Sequence, residues 1–369
     1  MIKVALGAAL AAAALGCQAA PAPEIEKDRP IVGVKIYDTE RDLRELFADW
    51  RELGVDTVFA GEELSSREGF RALAKETGTG LFVIFPVFFA PEELAEDPDL
   101  WAVTAEGARA KEDWVEFACP SRADFRARRV EEAREIVRRL QPDGLSIDFI
   151  RDFVFWEMVA PDRDPATLPD ACYCSHCLQG FSVFSGVPTL SIPPQPQRAA
   201  AWIAANAGEE WIRFKCRTIT SMVEEIVSAV RGIEPNILIN IHVVPWRTTD
   251  YDGAITRIAG QERAALGELA DYLSPMAYSF MLHRPPEWIA SVVGDTARQA
   301  ACPVLPSIQV ASAYREGESF AAAEFEACLR AALAPPSAGV VFWNWDAIEA
   351  DSEKAEVVRR VLRGSASDQ

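Results

Sequence analysis

Eight short apolar segments recur along this 369-residue chain, and longer segments with helical periodicity separate them. The apolar segments have the length and the Val, Ile and Phe content of strands that are buried on both faces. The separating segments carry apolar residues three or four positions apart among Arg, Glu and Ala, as amphipathic helices do. The predicted strands are residues 31–38, 55–61, 81–89, 144–151, 237–246, 272–279, 304–311 and 340–346.

This alternation of strand and helix predicts an α/β fold, a single (β/α)8 (TIM) barrel over residues 30–365 with a long insertion after strand 4. A doubly wound open sheet is the alternative, but no G-x-G-x-x-G turn follows the first strand. Alternate residues of each barrel strand point into the lumen. Because active sites of such barrels lie at the carboxyl ends of the strands, we expect the functional residues there.

The first residues have the features of an export signal. Residues 1–16 contain a lysine followed by an apolar stretch that is too short to span a bilayer. The stretch ends in A-L-G-C, which resembles a bacterial lipobox and implies cleavage before Cys17 and acylation of its thiol. An ordinary signal peptide cut near Ala20 is the alternative. Residues 17–29 are expected to form a flexible tether. We therefore predict an exported lipoprotein, in the periplasm or at the cell surface, whose membrane contact is the lipid anchor.

The formal net charge of −19 limits the partners of this chain. An acidic surface repels phosphate backbones and anionic lipid headgroups, so nucleic acid is excluded and an uncharged ligand such as a carbohydrate is favoured. The sequence contains no H-E-x-x-H, G-x-S-x-G or Walker motif. We therefore expect no cofactor for catalysis.

The predicted fourth strand carries the most informative motif. Residues 142–151 read P-D-G-L-S-I-D-F-I-R, which resembles the fourth strand of glycoside-hydrolase barrels. That family likeness implies a glycosidase, which needs one carboxyl as acid and another as nucleophile or base. It implies Asp148 as the first carboxyl, with Arg151 keeping it ionised. Glu157 is the predicted partner, with Asp250 and Asp346 as alternatives and Asp152 as a supporting residue. Each of these carboxylates is equally interpretable as a structural ion.

Other polar and aromatic residues near the strand ends are expected to hold a sugar. Residue parity points Lys35, Tyr278 and Gln309 into the lumen, together with Ser146, Asn240 and His242 of the fourth and fifth strands. Tryptophans also concentrate in this region, and sugar rings stack on such side chains. The predicted substrate contacts are Lys35, Arg151, His242, Trp246, Tyr278, Gln309, Trp343, Asn344 and Asp346.

One departure from the glycosidase pattern keeps a second function open. Many barrel glycosidases carry a Glu at the end of the fifth, sixth or seventh strand, where this chain has His242, Tyr278 and Gln309. A non-catalytic carbohydrate-binding barrel is therefore the alternative to a glycosidase.

Four cysteines form a separate motif. Cys119 precedes a proline, and Cys172, Cys174 and Cys177 form C-x-C-x-x-C in the insertion. This pattern is similar to the structural zinc cluster of family-42 β-galactosidases, and the resemblance implies four thiolates around one zinc ion. Disulfides, which an exported protein favours, and free thiols remain the alternatives.

Overall fold

The computed structural model describes residues 30–315 and 317–367, so the predicted signal, tether and Cys17 lie outside the described residues. The strands are β1 (Ile31–Ile36), β2 (Thr57–Ala60), β3 (Gly80–Pro86), β4 (Lys111–Glu112), β5 (Val115–Glu116), β6 (Gly144–Asp148), β7 (Leu238–Val243), β8 (Tyr272–Pro275), β9 (Ser307–Gln309) and β10 (Gly339–Trp343). The helices are α1 (Leu43–Leu53), α2 (Glu62–Ser65), α3 (Phe70–Thr77), α4 (Pro91–Glu96), α5 (Ala123–Leu140), α6 (Ser175–Ser185), α7 (Pro196–Asn206), α8 (Gly208–Arg231), α9 (Ala254–Arg257), α10 (Arg263–Gly267), α11 (Glu287–Ala297), α12 (Ala322–Leu333), α13 (Trp345–Glu349) and α14 (Ser352–Ser367).

Eight of the strands form one parallel sheet in the order β8-β7-β6-β3-β2-β1-β10-β9. Parallel bridges from Leu273 to Val304 and from Met276 to Ser307 join its two edge strands. The sheet thus curls into a nearly closed barrel, and the predicted (β/α)8 fold is confirmed. All eight predicted strands are present, although most end earlier than expected, before the loops at the rim.

Two excursions from the barrel lie at its carboxyl end. The antiparallel pair β4–β5 belongs to the loop between β3 and α5, and α6, α7 and α8 follow β6 before the chain enters β7. The excursions contact each other through an antiparallel bridge between Thr104 and Ala171. In the described part of the chain, no helix is both long enough and apolar enough to cross a membrane.

Large aromatic side chains fill the lower part of the lumen. The rings of Phe59 and Phe82 stack with their centroids 4.9 Å apart, and both residues are fully buried. Glycines on neighbouring strands make this possible: a Cβ atom at Gly144 would lie 2.2 Å from the Phe82 ring, and one at Gly33 would lie 2.8 Å from Phe59. The lumen is thus a packed core, as in other barrels of this type, and only its upper end is polar.

Candidate active site

A continuous network of polar side chains lies above the aromatic layer. The hydroxyl of Ser146 on β6 lies 2.9 Å from Nε2 of His242 and accepts a 2.9 Å hydrogen bond from the amide of Asn240. The hydroxyl of Ser274 donates to Asn240 Oδ1 over 2.7 Å, and Lys35 Nζ lies 3.5 Å from His242 Nδ1. Parity therefore placed these side chains in the lumen correctly, and they are buried by at least 99%.

The surroundings of His242 determine the protonation state and the tautomer of its imidazole ring. Burial and the charge of Lys35 lower the pKa of His242 to about 3, although Asp148 acts in the opposite direction. The imidazole is therefore neutral at pH 7. Because Lys35 Nζ is a donor only, Nδ1 accepts from it, and the remaining proton lies on Nε2 and is donated to Ser146.

Asp148 ends β6 and remains an anion. Its Oδ1 accepts a 2.7 Å hydrogen bond from the backbone N–H of Phe149, whose φ of 49° ends the strand. Burial alone would raise the pKa of Asp148. The charges of protonated His242, Lys35 and Arg151 and the hydrogen bond from the Phe149 N–H have a larger, opposite effect, so this pKa lies below its usual value. Burial in turn lowers the pKa of Lys35 to about 8, partly offset by Asp148. Lys35 is therefore still largely a cation at neutral pH.

Glu157 lies in the loop after β6, in the short 3-10 turn Trp156–Met158. Burial raises its pKa to about 7, with Arg151 opposing and Asp148 adding to the shift. A substantial fraction of Glu157 therefore carries a proton at neutral pH, whereas Asp148 does not. Two carboxyl groups whose pKa values shift in opposite directions are typical of an acid paired with a nucleophile or base.

Arg151 is buried behind these carboxyl groups. Its guanidinium carbon lies 4.7 Å from the ring centroid of Phe117 and 5.2 Å from that of Phe149. Burial lowers the pKa of Arg151, and the charges of Glu157 and Asp148 partly restore it. Arg151 is 2% exposed, so its charge acts on both carboxyl groups from within the protein.

The remaining predicted contacts differ in their surroundings. Tyr278 stacks on Trp343 with centroids 4.6 Å apart, and together these rings lie over the polar network. The amide of Gln309 accepts from the backbone of Met281 and donates to that of Ala311, so both of its ends are engaged.

At the end of β10 the polar side chains are partly engaged as well. Asn344 caps α13 by accepting from Ala347 and also donates to Asp346, whose pKa is raised by burial. Trp246 is 2% exposed and packs edge-on against Tyr251.

Two other carboxyl groups near the strand ends, the alternative Asp250 and the supporting Asp152, have structural partners. Asp250 forms an ion pair with Arg247, with Nη2 and Oδ1 2.7 Å apart. Asp152 is 3% exposed and lies 3.9 Å from Nζ of Lys215. Burial raises the pKa of Asp152 to about 7, against the effect of Lys215. Glu157 therefore remains the partner of Asp148 with the most suitable surroundings.

An aromatic cluster at the rim was only partly anticipated from the sequence. Trp114 from the β4–β5 turn and Tyr314 from the loop after β9 are 41% and 40% exposed. Trp156 and Trp345, which also follow barrel strands, are buried and pack inward. Tyr314 was missed because nothing in its local sequence distinguishes it from an ordinary loop residue.

The four predicted cysteines lie together beside the rim. The sulfur atoms of Cys119, Cys172, Cys174 and Cys177 are all within 4.8 Å of one another. Cys119 Sγ lies 3.3 Å from Cys174 Sγ and 3.6 Å from Cys177 Sγ, much longer than the roughly 2.05 Å of a disulfide bond. Sulfurs about 2.3 Å from one tetrahedral zinc ion would be about 3.8 Å apart. The cluster can therefore bind a metal ion.

Buried polar contacts tie this cluster to the barrel helices. Tyr173, between two of the cysteines, donates its hydroxyl proton to Asp170 over 2.6 Å. The other carboxylate oxygen of Asp170 accepts from Nζ of Lys215 on α8 over 2.6 Å, and the same Nζ donates to the carbonyl of Arg257. The cysteine loop is thus held against α8 and the segment after β7.

Several solved glycoside hydrolases share this architecture. The PgaB (BpsB) glycoside hydrolase domain from Bordetella bronchiseptica matches with a TM-score of 0.66 at 16% identity, over 90% of this chain and 98% of that domain. A β-galactosidase from Rahnella sp. R3 matches with a TM-score of 0.67 at 12% identity, over 91% of this chain and 56% of the enzyme. The fold is that of glycoside-hydrolase barrels.

A third similar structure extends the range of activities on this fold. The α-L-fucosidase isoenzyme 2 from Paenibacillus thiaminolyticus matches with a TM-score of 0.54 at 12% identity, over 90% of this chain and 48% of the enzyme. The chain spans about half the length of this fucosidase and of the Rahnella enzyme. No protein-family model and no curated protein matches the sequence.

Proposed function

We propose that this protein hydrolyses a glycosidic bond in an oligo- or polysaccharide outside the cytoplasm. The observation that carries the proposal is the pair Asp148 and Glu157 at the carboxyl end of the barrel, with pKa values displaced in opposite directions. The similarity in fold to glycoside hydrolases supports the same reaction class.

The two carboxyl groups would divide the reaction between them. Protonated Glu157 donates its proton to the glycosidic oxygen as the bond to the anomeric carbon breaks. Ionised Asp148 either attacks that carbon or removes a proton from the attacking water. In the first case, water breaks the ester bond between Asp148 and the anomeric carbon; its hydroxyl joins that carbon and its other proton returns to Glu157. In the second case, the hydroxyl of the water joins the carbon directly and Asp148 takes the other proton. Exchange with solvent then returns Asp148 to the anion and Glu157 to the acid.

The polar network beneath the site supports Asp148 in this role. Lys35 and His242 are fixed by the hydrogen bonds to Ser146 and Tyr278, so the charge near Asp148 is preorganised. Lys35 is 1% exposed, and we therefore assign it to positioning the carboxylate from below. Trp343, which is partly exposed and stacks on the buried ring of Tyr278, would hold the sugar ring.

Hydrolysis of a broad glycan panel by wild type and an Asp148→Asn variant tests the proposal. We expect the variant to lose at least about a hundredfold in kcat because the amide is neither nucleophile nor base. Asp162→Asn, at an exposed position of the same insertion, is the matched control and should keep full activity. Unchanged hydrolysis in Asp148→Asn would contradict the assignment. A wild type that binds glycans and cleaves none would establish the carbohydrate-binding alternative.

We also propose that Cys119, Cys172, Cys174 and Cys177 hold a structural zinc ion. Support comes from the donor set and from sulfur separations near those of a tetrahedral zinc-thiolate site. The ion would hold the two excursions of the rim together as a structural clamp and take no part in the reaction.

A further inference from the structure

Trp114 and Tyr314 form an exposed aromatic pair that the proposed reaction does not use. The indole N–H of Trp114 donates to the hydroxyl of Tyr314 over 2.6 Å. The two residues come from different loops, the β4–β5 turn and the segment after β9, so the bond connects opposite parts of the rim. Each of them nevertheless exposes about two fifths of its surface.

Neighbouring rings hold this pair in place. Trp114 meets Phe89, Phe149 and Phe155 nearly at right angles, with centroids 5.7, 6.2 and 5.9 Å apart. Phe155 also contacts Tyr314 edge-on at 5.8 Å. Exposed aromatic groups that are ordered before binding lose little conformational entropy when a ligand covers them, which is the usual basis of an aromatic binding surface.

The pair lies next to the proposed catalytic carboxyls. Phe149, which contacts Trp114, directly follows Asp148, and Phe155 is two residues before Glu157. Burial raises the pKa of Tyr314 against the effect of the hydrogen bond from Trp114, and the charges of Glu157 and Asp113 add to the rise. A ring stacked on this surface would therefore belong to the same glycan as the bond being cleaved.

We propose that Trp114 and Tyr314 form a stacking subsite for a further sugar ring of the substrate, beyond the ring held at Trp343. Asp113, which directly precedes Trp114, makes this subsite unfavourable for a uronic acid, so we expect the ring it takes to carry no acidic group. The substrate is then an oligosaccharide or polysaccharide chain, and a monosaccharide glycoside fills only part of the site. The link to cleavage rests on the proposed function, whereas binding of a glycan to this pair can be measured separately.

Binding is measured in an Asp148→Asn background so that glycans stay intact. The probes are β-1,4-linked glucose, galactose and N-acetylglucosamine series, from the monosaccharide to the hexasaccharide, followed by titration calorimetry and by tryptophan fluorescence. Adding Trp114→Ala should weaken binding of the longer members by about tenfold or more and leave monosaccharide binding unchanged. Trp114→Phe keeps a ring and should recover part of the affinity.

Two further variants separate stacking from folding. Tyr314→Phe removes the hydrogen bond and keeps the ring, so we expect a smaller loss than for Trp114→Ala. Phe184→Ala alters an aromatic of similar exposure on α6 and should change neither binding nor the length dependence. Unchanged melting temperatures would show that the variants remain folded.

The outcomes distinguish this proposal from the catalytic one. Equal loss for monosaccharides and long chains, no loss at all, or a parent protein that binds none of the probes would each overturn the subsite. Length-dependent binding through Trp114 in a wild type that cleaves no glycan would support the subsite and contradict the glycosidase. In a wild type that does cleave, Trp114→Ala should raise KM for long chains and leave kcat/KM for aryl monoglycosides unchanged.

Discussion

Lys35 lies almost wholly inside the protein and affects Asp148 through its charge. If this charge keeps Asp148 ionised, Lys35→Met should raise the pKa of Asp148 and shift the acidic limb of the kcat/KM profile to higher pH. Lys35→Arg preserves the charge and should restore the limb toward its wild-type position. A purely structural role for Lys35 predicts lower activity in both variants without a shift, and pH profiles measured on folded variants decide between these roles.

Glu157 supplies a second pH-dependent prediction. Because its pKa is raised to about 7 and the acid must be protonated to act, activity of the wild type should fall as the pH rises above about 7. Glu157→Gln should remove this alkaline limb. It should also slow substrates with poor leaving groups by about a hundredfold or more, and aryl glycosides with good leaving groups much less. Equal losses for both substrate classes would rule out Glu157 as the acid.

For individual residues, the sequence predicts the positions of side chains in the barrel lumen better than those in the rim loops. Strand parity was sufficient to place Ser146, Asn240 and His242 in one network, because side chains alternate strictly along a strand. The loops have no such period, so neither the burial of Trp156 nor the exposure of Tyr314 could be predicted. The surroundings that raise the pKa of Glu157 likewise arise from distant segments of the chain.

Among the elements, the cysteine loop has the clearest test. Purified wild type should contain one zinc ion per chain, and Cys174→Ser should lose it and melt several degrees lower, since binding of a structural metal stabilises the fold. Cys216→Ser, a buried cysteine on α8 outside the cluster, is the control and should retain the metal. Metal analysis with thiol titration checks this. Little zinc together with oxidised thiols in wild type would favour disulfides instead.

The order of the elements was predictable, and their ends were not. Apolar segments of strand length identify all eight barrel strands because parallel strands are buried on both faces. The predicted fourth strand extends to residue 151, whereas β6 ends at Asp148, since the positive φ of Phe149 turns the chain out of the sheet. That turn brings the N–H of Phe149 to 2.7 Å from Asp148 Oδ1, to which it donates a hydrogen bond.

For the whole molecule, the remaining prediction is that a lipid on Cys17 attaches it to a membrane. If Cys17 is the acylated amino terminus, metabolic palmitate labelling should mark the protein and Cys17→Ala should abolish the label. Mass spectrometry of the terminal peptide identifies the first residue. An unlabelled wild type that begins after Ala20 would show an ordinary signal peptide. Whether the mature chain begins at Cys17 or after Ala20, the acidic formal net charge, −19 over the full sequence, would favour solubility, since it opposes association with anionic surfaces.

The stacked phenylalanines in the lower lumen limit the ways in which molecules can enter and leave the barrel. Phe59 and Phe82 close the lower end of the barrel, so nothing passes through it from one side to the other. If the protein is the glycosidase proposed above, the glycan, the water and both released fragments all use the polar upper end. A fragment still bound there excludes the next substrate, so we expect competitive inhibition by the products.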